Sequence, residues 1–300
     1  LDIRADAGMC LCIDATVNRS KVALIDLANT ICAYREILIP AKKDFRDVVR
    51  ELDALLPELC REAGVDRRRV LCCGMSVSGH VIQQTGFIAA SSQFEWFDIE
   101  AGRILESVLS MPAYVENDCK AALIGEETLL DNEARRSANI AYIKLGWCGV
   151  GSAAIIDGRL VRGSRNAAGE VGHFSAMPEG DVEKCEHRGC FENVISEAAV
   201  VARAQRVNAS YGSLERINEG LAAGDGRLRA LIDEVCEYIA IAINDISCAY
   251  NPDTIVLNGN LVAGCDYCMR AVRRYLAHRL LKSVQPNLTV RLSKKGTNAG

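Results

Sequence analysis

The sequence has 300 residues, of which 49% are hydrophobic and 25% are charged, a composition typical of soluble globular proteins with one large or two ordinary domains. A net charge of −4 disfavours nucleic-acid binding by the chain itself, and the apolar runs are too short to span a membrane. The fourteen cysteines are scattered among aliphatic residues, which indicates core side chains in a reducing, cytoplasmic compartment.

The first part of the chain predicts strands joined by short turns, then a helix and a further strand. Short apolar runs bounded by turn residues indicate the strands. Over residues 45–63, apolar side chains recur every three or four positions, which predicts an amphipathic helix. The predicted strands are residues 10–14, 21–26, 36–40 and 70–77.

Residues 86–97 are predicted to form a loop that carries Ser92. Polar groups beside aromatic side chains suit a sugar-binding face, but they suit an ordinary capped loop equally well. A short strand over residues 113–115 leads to Asn117 and Asp118, which precede a helix rich in small residues. Polar side chains at such a junction face the crevice of an open sheet, where ligands bind. Plain capping of the helix is an equally good interpretation.

The second part of the chain begins as the first does, with a strand, a turn and another strand. The turn at residues 146–151 is rich in glycine and contains Trp147, which is a weak phosphate-binding signal because most such turns are simply hairpins. Helices dominate later. The pattern predicts two α/β domains around a cleft, residues 1–118 and 119–300. The remaining predicted elements are strands at 138–145, 152–156 and 254–257 and helices at 196–207, 228–250 and 267–281.

The densest group of chemically active side chains lies in one short stretch of the second domain. Glycines flank Glu170 and His173, which indicates a tightly turned backbone. The carboxylates of Glu170 and Glu192 are good acceptors for several neighbouring hydroxyl groups. Histidine and cysteine at short spacing are common ligands of structural zinc, and Cys185 and Cys190 follow here. The pattern predicts a sugar or polyol pocket braced by a metal ion.

These motifs together resemble the ROK family, which joins bacterial sugar kinases to sugar-responsive transcriptional repressors. The resemblance covers nearly the whole chain and implies the actin-like sugar-kinase fold, an α/β fold whose two domains close on a ligand cleft. The runs that carry it are Glu116-Asn117-Asp118, Ala167-Ala168-Gly169-Glu170-Val171-Gly172-His173 and Gly189-Cys190-Phe191-Glu192.

The resemblance also assigns roles to residues. In the kinases, the residue at Asp118 is the general base that accepts the proton of the attacking hydroxyl. The residues assigned to the sugar hydroxyls are Asn117, Asp118, Glu170, His173 and Glu192, with Ser92 as a further candidate.

Three turns depart from the kinase pattern. Family kinases place a glycine pair after the first aspartate, whereas Thr16 and Val17 follow here. A β-branched side chain stiffens the loop and adds bulk where phosphate needs backbone N–H groups. Trp147 stands where kinases keep a small hydroxyl residue, and the run 258–260 retains one glycine. We therefore expect that ATP does not bind and that the chain lies in the repressor branch.

The family's zinc site is expected to be partly altered. Counted from His173, the family's three cysteine positions fall on Glu183, Cys185 and Cys190. Zinc accepts carboxylate oxygen, so Glu183 can complete a tetrahedral site, and His187 is a nearby substitute. We expect a structural zinc ion here; the alternative is an empty site with two packed cysteines.

The favoured hypothesis is the sugar-sensing, effector-binding part of a ROK-type transcriptional regulator. Sugar binding then shifts the arrangement of domains in a homodimer or higher oligomer. DNA is expected to contact a helix-turn-helix domain that is not in this chain, and no membrane partner is expected. Two other hypotheses stay open: an ATP-dependent hexose or N-acyl-hexosamine kinase that uses Asp118, and a protein that only binds sugar or a partner.

Overall fold

The structure of the protein is a computed structural model. The residues that it describes are 4–177, 188–283 and 285–294. They form two compact units. Unit 1 comprises the chain up to Ala121 and a later segment, Gly163–Ala167, whereas unit 2 comprises Ala122–Arg162 and the chain from Ala168 onward. Both units are mixed α/β structures, which confirms the predicted fold class.

Unit 1 is built on a five-stranded sheet with a smaller three-stranded sheet beside it. In chain order the strands are β1 (Met9–Ala15), β2 (Ser20–Asp26), β3 (Ile31–Ile37), β4 (Val70–Val77), β5 (His80–Ile82), β6 (Phe87–Ser91), β7 (Trp96–Ile99) and β8 (Ala113–Asn117). The large sheet has the order β3-β2-β1-β4-β8. Its first three strands in sequence are antiparallel, and β4 and β8 run parallel to β1.

The helices α1 (Phe45–Ala63) and α2 (Ala101–Leu109) belong to unit 1. The Asp44 side chain accepts hydrogen bonds from the first N–H groups of α1, and the helix ends at Gly64, which has a φ of 67°. Glycine adopts that conformation at little cost because it has no Cβ. The apolar side of α1 is buried in the core of unit 1 through Val48, Val49, Leu52, Leu56 and Leu59.

The third strand lies earlier in the chain than residues 36–40, where it is predicted. The turn before β3 fixes its position, because Asp26 Oδ1 accepts hydrogen bonds from the N–H groups of Ala28 (2.9 Å) and Thr30 (2.8 Å). This closed turn sets the register of the β2–β3 hairpin, in which Ile25 pairs with Ile31. The prediction was wrong because the apolar residues that follow β3 resemble a buried strand.

The predicted loop at residues 86–97 is instead an antiparallel hairpin of β6 and β7. Phe94 and Trp96 are buried, and their rings are stacked with centroids 4.1 Å apart. Trp96 Nε1 donates a hydrogen bond to the carbonyl of Lys43 at 2.7 Å. Burial of these aromatic rings anchors the hairpin in the core, whereas the sequence pattern suggested a surface loop.

Unit 2 repeats the sheet topology of unit 1. Its strands are β9 (Ile140–Leu145), β10 (Val150–Ile156), β11 (Arg159–Leu160), β12 (Thr254–Asn258) and β13 (Thr289–Leu292). Their order is β11-β10-β9-β12-β13, so each large sheet has its own strands in the order third, second, first, fourth, fifth. The directions also match, since β10 is antiparallel to β9 and β12 is parallel to it.

The remaining helices belong to unit 2, apart from the start of α3, which lies in unit 1. The long predicted helix is confirmed as α8, which ends at Asn251 in a left-handed conformation before Pro252. The predicted turn after β12 is partly helical, as α9. Within the described residues, every helix is too short or too polar to cross a membrane. The helices are α3 (Asp118–Glu127), α4 (Asn132–Arg136), α5 (Glu192–Ile195), α6 (Glu197–Val207), α7 (Leu214–Ala222), α8 (Gly226–Tyr250), α9 (Asn260–Ala263) and α10 (Asp266–Arg279).

Candidate functional site

The junction between β8 and α3 carries the first two candidate residues. Asn117 Oδ1 accepts hydrogen bonds from the N–H groups of Cys119 (3.0 Å) and Lys120 (3.1 Å). Its Nδ2 donates to the carbonyl of Gly79 (3.0 Å) and to Asp118 Oδ1 (3.2 Å). The capping interpretation of Asn117 therefore has direct geometric support, and its amide fixes the position of the buried Asp118. A sugar contact by either residue stays a prediction.

The β6–β7 hairpin is tied to the end of β4 beside this junction. Ser91 Oγ donates a hydrogen bond to the carbonyl of Ser78 at 2.6 Å, and Gln93 Nε2 donates to Ser78 Oγ at 3.2 Å. Gly79 permits this close approach, because its φ is 136° and an added Cβ would lie 2.2 Å from the carbonyl oxygen of Ala90. Ser92 lies in the turn of this hairpin and is exposed to solvent.

The segment Gly163–Ala167, called the strap below, is held on unit 1 by three side chains. Lys120 Nζ donates a hydrogen bond to the carbonyl of Asn166 at 2.9 Å, and Asn166 Nδ2 donates to the carbonyl of Val81 at 2.5 Å. His80 Nε2 lies 2.6 Å from the carbonyl oxygen of Arg165. A carbonyl oxygen only accepts, so His80 carries a proton on Nε2. The sequence gives no local signal for these long-range contacts.

The Glu170–His173 run lies in unit 2 and packs closely against β10. Ser152 Oγ donates a hydrogen bond to the carbonyl of Gly169 at 2.8 Å. Gly169 has a φ of 98°, and a Cβ there would lie 2.3 Å from the carbonyl oxygen of Ser152. At Gly172 a Cβ would lie 2.1 Å from the carbonyl oxygen of Val150. The glycines thus have the steric role that their pattern predicts, and they leave Glu170 and His173 exposed.

Glu192 begins α5 and lies against the glycine-rich turn of unit 2. Its Oε2 atom is 3.0 Å from the position that a Cβ of Gly149 would occupy. The N–H group of Phe191 donates to the carbonyl of Phe174 at 3.1 Å, which places the chain next to Glu192 beside the chain that follows His173. Glu170, His173 and Glu192 therefore belong to unit 2, whereas Ser92, Asn117 and Asp118 belong to unit 1.

The described part of the predicted zinc site comprises His173 and Cys190. Cys190 is fully buried, and its Sγ donates to the backbone carbonyl of His173 at 3.8 Å, so the Cys190 thiol lies beside the main chain of the exposed residue His173. Glu183, Cys185 and His187 lie outside the described residues. Among the residues that are described, no group of three His, Cys, Asp or Glu side chains could hold a metal ion.

The turn between β1 and β2 uses its backbone polar groups within unit 1. The N–H group of Thr16 donates to Ser20 Oγ (3.1 Å), and that hydroxyl donates back to the carbonyl of Thr16 (2.8 Å). The N–H groups of Asn18 and Arg19 donate to the carbonyls of Ile39 (3.0 Å) and Thr16 (3.1 Å). Three N–H groups of this turn are thus already satisfied by the protein.

The side chain of Asp14, near the end of β1, also has partners within unit 1. Ser76 Oγ donates a hydrogen bond to Asp14 Oδ1 at 3.1 Å, and Lys21 Nζ lies 3.5 Å from Asp14 Oδ2. Val17 packs against the core of unit 1. The Val17 side chain thus contributes to packing, in keeping with a turn that closes on itself.

The glycine-rich turn of unit 2 is bound to the start of α6. The carbonyls of Gly146 and Trp147 accept the N–H groups of Glu197 (3.0 Å) and Ala198 (3.1 Å). The N–H group of Gly146 itself donates to the carbonyl of Gly149 at 2.9 Å. The Trp147 side chain remains 53% exposed.

Glu197 is a buried carboxylate that the sequence interpretation did not single out. It is only 3% exposed and accepts hydrogen bonds from the N–H groups of Asn260 and Leu261 at the start of α9, as well as from Asn260 Nδ2 (3.2 Å). Free N–H groups at the start of a helix attract anions. Here the protein's own carboxylate takes that place. Its only local signal is an acidic residue in the first turn of α6, which is common in any helix.

Comparison with known proteins places the chain in a family. The family model described as "ROK family" matches residues 10–300 of this chain. The chain belongs to the ROK family.

Relatives in the ROK family include both a repressor and a kinase. A putative xylose repressor of Caldicellulosiruptor sp. is 25% identical, over 98% of this chain and 76% of that protein. A glucokinase of Halalkalibacterium halodurans is 27% identical, over 76% of this chain and 72% of that protein. At this similarity both functional branches of the family are represented.

A solved structure shares the fold. The crystal structure of a ROK family transcriptional regulator, a homologue of the E. coli MLC protein, superimposes with a TM-score of 0.82 at 22% identity, over 95% of this chain and 74% of that chain. The two-domain, actin-like α/β fold predicted from the motifs is thereby confirmed.

Proposed function

We propose that this chain is the sugar-sensing, effector-binding part of a ROK transcriptional regulator and that it does not phosphorylate sugars. The observation that carries the proposal is the hydrogen bonding of the three turns that differ from the kinase pattern. These are the β1–β2 turn, the glycine-rich turn at residues 146–151 and the run 258–260, and they are called the phosphate turns below. In both units, groups that a kinase offers to phosphate are bonded within the protein.

The Glu197 carboxylate is the strongest support for loss of ATP binding. A phosphate that approached the start of α9 would meet a buried negative charge within hydrogen-bond reach of the same N–H groups. Two like charges in a site of low dielectric repel strongly. Release of Glu197 would leave a buried carboxylate without its donors, which is also unfavourable. At the β1–β2 turn, phosphate would have to replace the internal hydrogen bonds of Thr16, Asn18 and Arg19.

The residues that the family resemblance assigns to the sugar are retained, in contrast. Asp118, Glu170 and Glu192 supply carboxylate oxygens, which are good acceptors of hydrogen bonds from sugar hydroxyls. By the family resemblance, these residues contact the sugar, with His173 as a further partner. A sugar that binds one arrangement of the units more tightly shifts the population toward it, and the shift is limited by the difference in affinity.

The proposal predicts sugar binding without sugar phosphorylation. A coupled assay of ATP consumption with a panel of hexoses, pentoses and N-acyl-hexosamines should give no turnover above background. A ROK glucokinase in the same assay is the positive control. Turnover that depends on both sugar and ATP would overturn the proposal.

Regulation of DNA binding is the second test. The full-length protein that contains this sequence should bind its operator DNA as a homodimer or higher oligomer in the cytoplasm, and sugar should change that affinity. Glu170→Gln should weaken the response to sugar and leave DNA binding in the absence of sugar unchanged. An operator affinity that sugar does not alter would contradict the proposed mechanism.

A sugar kinase is the second candidate, and Asp118 is the observation in its favour. This carboxylate stands at the end of β8, where Asn117 fixes its position. A general base for the attacking hydroxyl needs such a carboxylate. If the assay shows turnover, the kinase candidate requires that Asp118→Asn abolish it.

We also propose a structural zinc ion beside the pocket. His173 and Cys190 are neighbours in the described part of the chain, and Cys185 with Glu183 or His187 would complete a tetrahedral site. Such an ion would hold the chain between His173 and Cys190 and thereby position Glu192. It would take no part in any reaction.

A further inference from the structure

We propose that Cys10 and Cys72 form a dithiol modification site, which thiol–disulfide exchange converts into an intramolecular disulfide. This site is separate from the sugar and phosphate residues and does not depend on the proposed function. The two cysteines lie on neighbouring parallel strands, β1 and β4, in register with each other. The Cys72 thiol donates a hydrogen bond to Cys10 Sγ, with 3.4 Å between the sulfur atoms.

The positions of these residues suit a disulfide. Paired residues on neighbouring strands have backbones about 4.8 Å apart, which lies within the range of about 4.4–6.8 Å between Cα atoms that disulfides span. The sulfur atoms must approach by roughly 1.4 Å to reach the bond length of about 2.05 Å. Rotation about the Cα–Cβ bonds is sufficient for a movement of that size, so the sheet can keep its register.

The pair is also accessible. Both residues are partly exposed, because they point to the side of the sheet opposite the core residues Leu11 and Cys73, which are fully buried. Cys12 shares that side of β1, but it pairs with Gly74, so no sulfur faces it across the β1–β4 pair. Cys10 and Cys72 are therefore the pair that the β1–β4 register favours.

The chemistry requires an external disulfide, such as oxidised glutathione, as oxidant. The thiolate of one cysteine attacks it, which forms a mixed disulfide and releases one thiol. The second thiolate then attacks the protein sulfur of that mixed disulfide and releases a second thiol. Two protein thiols and one external disulfide thus give one protein disulfide and two external thiols.

The hydrogen bond indicates the order of the two steps. Burial and donation to Cys10 raise the pKa of Cys72 to about 12, so Cys72 keeps its proton during the first step and gives it up in the second. Cys10 accepts that hydrogen bond and is the attacking sulfur, and Cys72 resolves the mixed disulfide. Removal of Cys72 should consequently trap the external thiol on Cys10.

Thiol counting and peptide mapping of the full chain test the site directly. After incubation with oxidised glutathione, wild-type protein should lose the titratable thiols of both Cys10 and Cys72, and mass spectrometry of a non-reduced digest should identify a Cys10–Cys72 crosslink. Cys72→Ser should carry glutathione on Cys10 instead. Cys12→Ser, the matched control, should form the crosslink as wild type does.

A trivalent arsenical that bridges two thiols provides a measurement that does not require oxidation. Phenylarsine oxide should bridge Cys10 and Cys72 in wild type and in Cys12→Ser, and it should leave both positions unbridged in Cys10→Ser. Oxidised wild-type protein without a Cys10–Cys72 crosslink, or arsenical bound with both of these thiols still titratable, would overturn the proposal.

Discussion

Glu126 shows how a single buried charge joins distant parts of unit 2. This carboxylate in α3 is fully buried. Its Oε1 accepts hydrogen bonds from Ser293 Oγ (2.5 Å) and the N–H group of Lys294 (3.1 Å), and its Oε2 lies 2.9 Å from Arg291 Nη1. The contacts attach the end of β13 to α3. The two hydrogen bonds to Oε1 and the nearby positive charge of Arg291 offset the cost of burying this carboxylate, although Oε2 itself accepts no hydrogen bond from the described residues.

We expect Glu126→Gln to lower the free energy of unfolding by about 3 kcal/mol, near the lower end of the range for a broken buried ion pair. Arg291 keeps some access to water, which limits the loss. Urea unfolding of both proteins measures the difference. Glu127→Gln is the control: its nearest arginine nitrogen is 3.8 Å away, and a loss below about 1 kcal/mol is expected. Equal losses in the two variants would contradict the role of Glu126.

Single residues also show the limits of the sequence. The motif around Asn117 left capping and ligand binding equally open, and the structure supports capping with two hydrogen bonds to the start of α3. Glu197 carried no signal beyond an ordinary acidic first turn. Its partners Asn260 and Leu261 are far away in sequence, and no local pattern encodes such a contact.

At the scale of elements, the strap depends on long-range polar contacts. Asn166 is buried and has a φ of 60°, a conformation that asparagine tolerates better than most residues. Its side chain bonds to the carbonyl of Val81, and its own carbonyl accepts Lys120 Nζ. The strap is thus attached to unit 1 by its backbone and by one amide.

Asn166→Ala should release the strap, because it removes the bond to Val81 and disfavours the positive φ. Limited digestion with trypsin should cut after Arg162 or Arg165 faster than in wild type, with fragments identified by mass spectrometry. Ser164→Ala, at an exposed position of the same segment, should be cut at the wild-type rate. An unchanged rate for Asn166→Ala would show that the other contacts suffice.

The start of α8 is stabilised by Asp225. Its Oδ1 accepts hydrogen bonds from the N–H groups of Arg227 (2.9 Å) and Leu228 (3.0 Å), and Tyr211 donates to Oδ2 at 2.7 Å. The bonds from the Leu228 backbone and the Tyr211 hydroxyl lower the pKa of Asp225. A lowered pKa means that the carboxylate stabilises the fold above its unfolded pKa of about 3.9. That contribution is lost as pH falls through the lower folded value.

Asp225→Asn should therefore lower Tm at pH 7, and the difference from wild type should shrink as the pH is lowered below about 4. Thermal unfolding followed by circular dichroism between pH 7 and pH 3 measures it. Asp266→Asn, in the first turn of α10, is the control and should change Tm less at pH 7. A difference that stays constant with pH would exclude the charge of Asp225 as the cause.

At the scale of the whole molecule, sugar binding should stabilise the native state. A ligand at a hundred times its Kd raises the free energy of unfolding by ~2.7 kcal/mol. A thermal-shift screen of sugars, sugar phosphates and ATP should show a higher Tm with one sugar class and no shift with ATP. The shift should be reduced in Glu170→Gln and in Asp118→Asn. A shift with ATP alone would contradict the interpretation of the phosphate turns.

Zinc is the second prediction at this scale. Purified protein should contain about one zinc ion per chain, measured by elemental mass spectrometry. Removal with a chelator should lower Tm, because a structural ion binds only the folded state. Cys185→Ser should lose the metal, whereas Cys248→Ser, at an exposed cysteine of α8, should retain it. Protein purified without added chelator that contains no zinc would refute the prediction.

Much of the molecule follows from local patterns in the sequence. The bounds of α1 and β4 match their predictions, because amphipathic periodicity and apolar runs act over a few residues. The combined motifs also identified the family and the fold, and glycines 169 and 172 have the close contacts that their pattern implies.

Other features were decided by the tertiary structure. The strap belongs to unit 1 although its neighbours in sequence belong to unit 2. The two large sheets have the same strand order, and Glu197 accepts hydrogen bonds from the start of α9. Each of these features joins residues that are distant in sequence. Local propensity acts over a turn or two, whereas these contacts depend on which elements meet in space. The sequence alone determined that this is a ROK-type α/β chain, and it singled out the motifs proposed to bind sugar and the turns that differ from the kinase pattern. Only the fold determined that the protein's own groups occupy the hydrogen bonds of those turns.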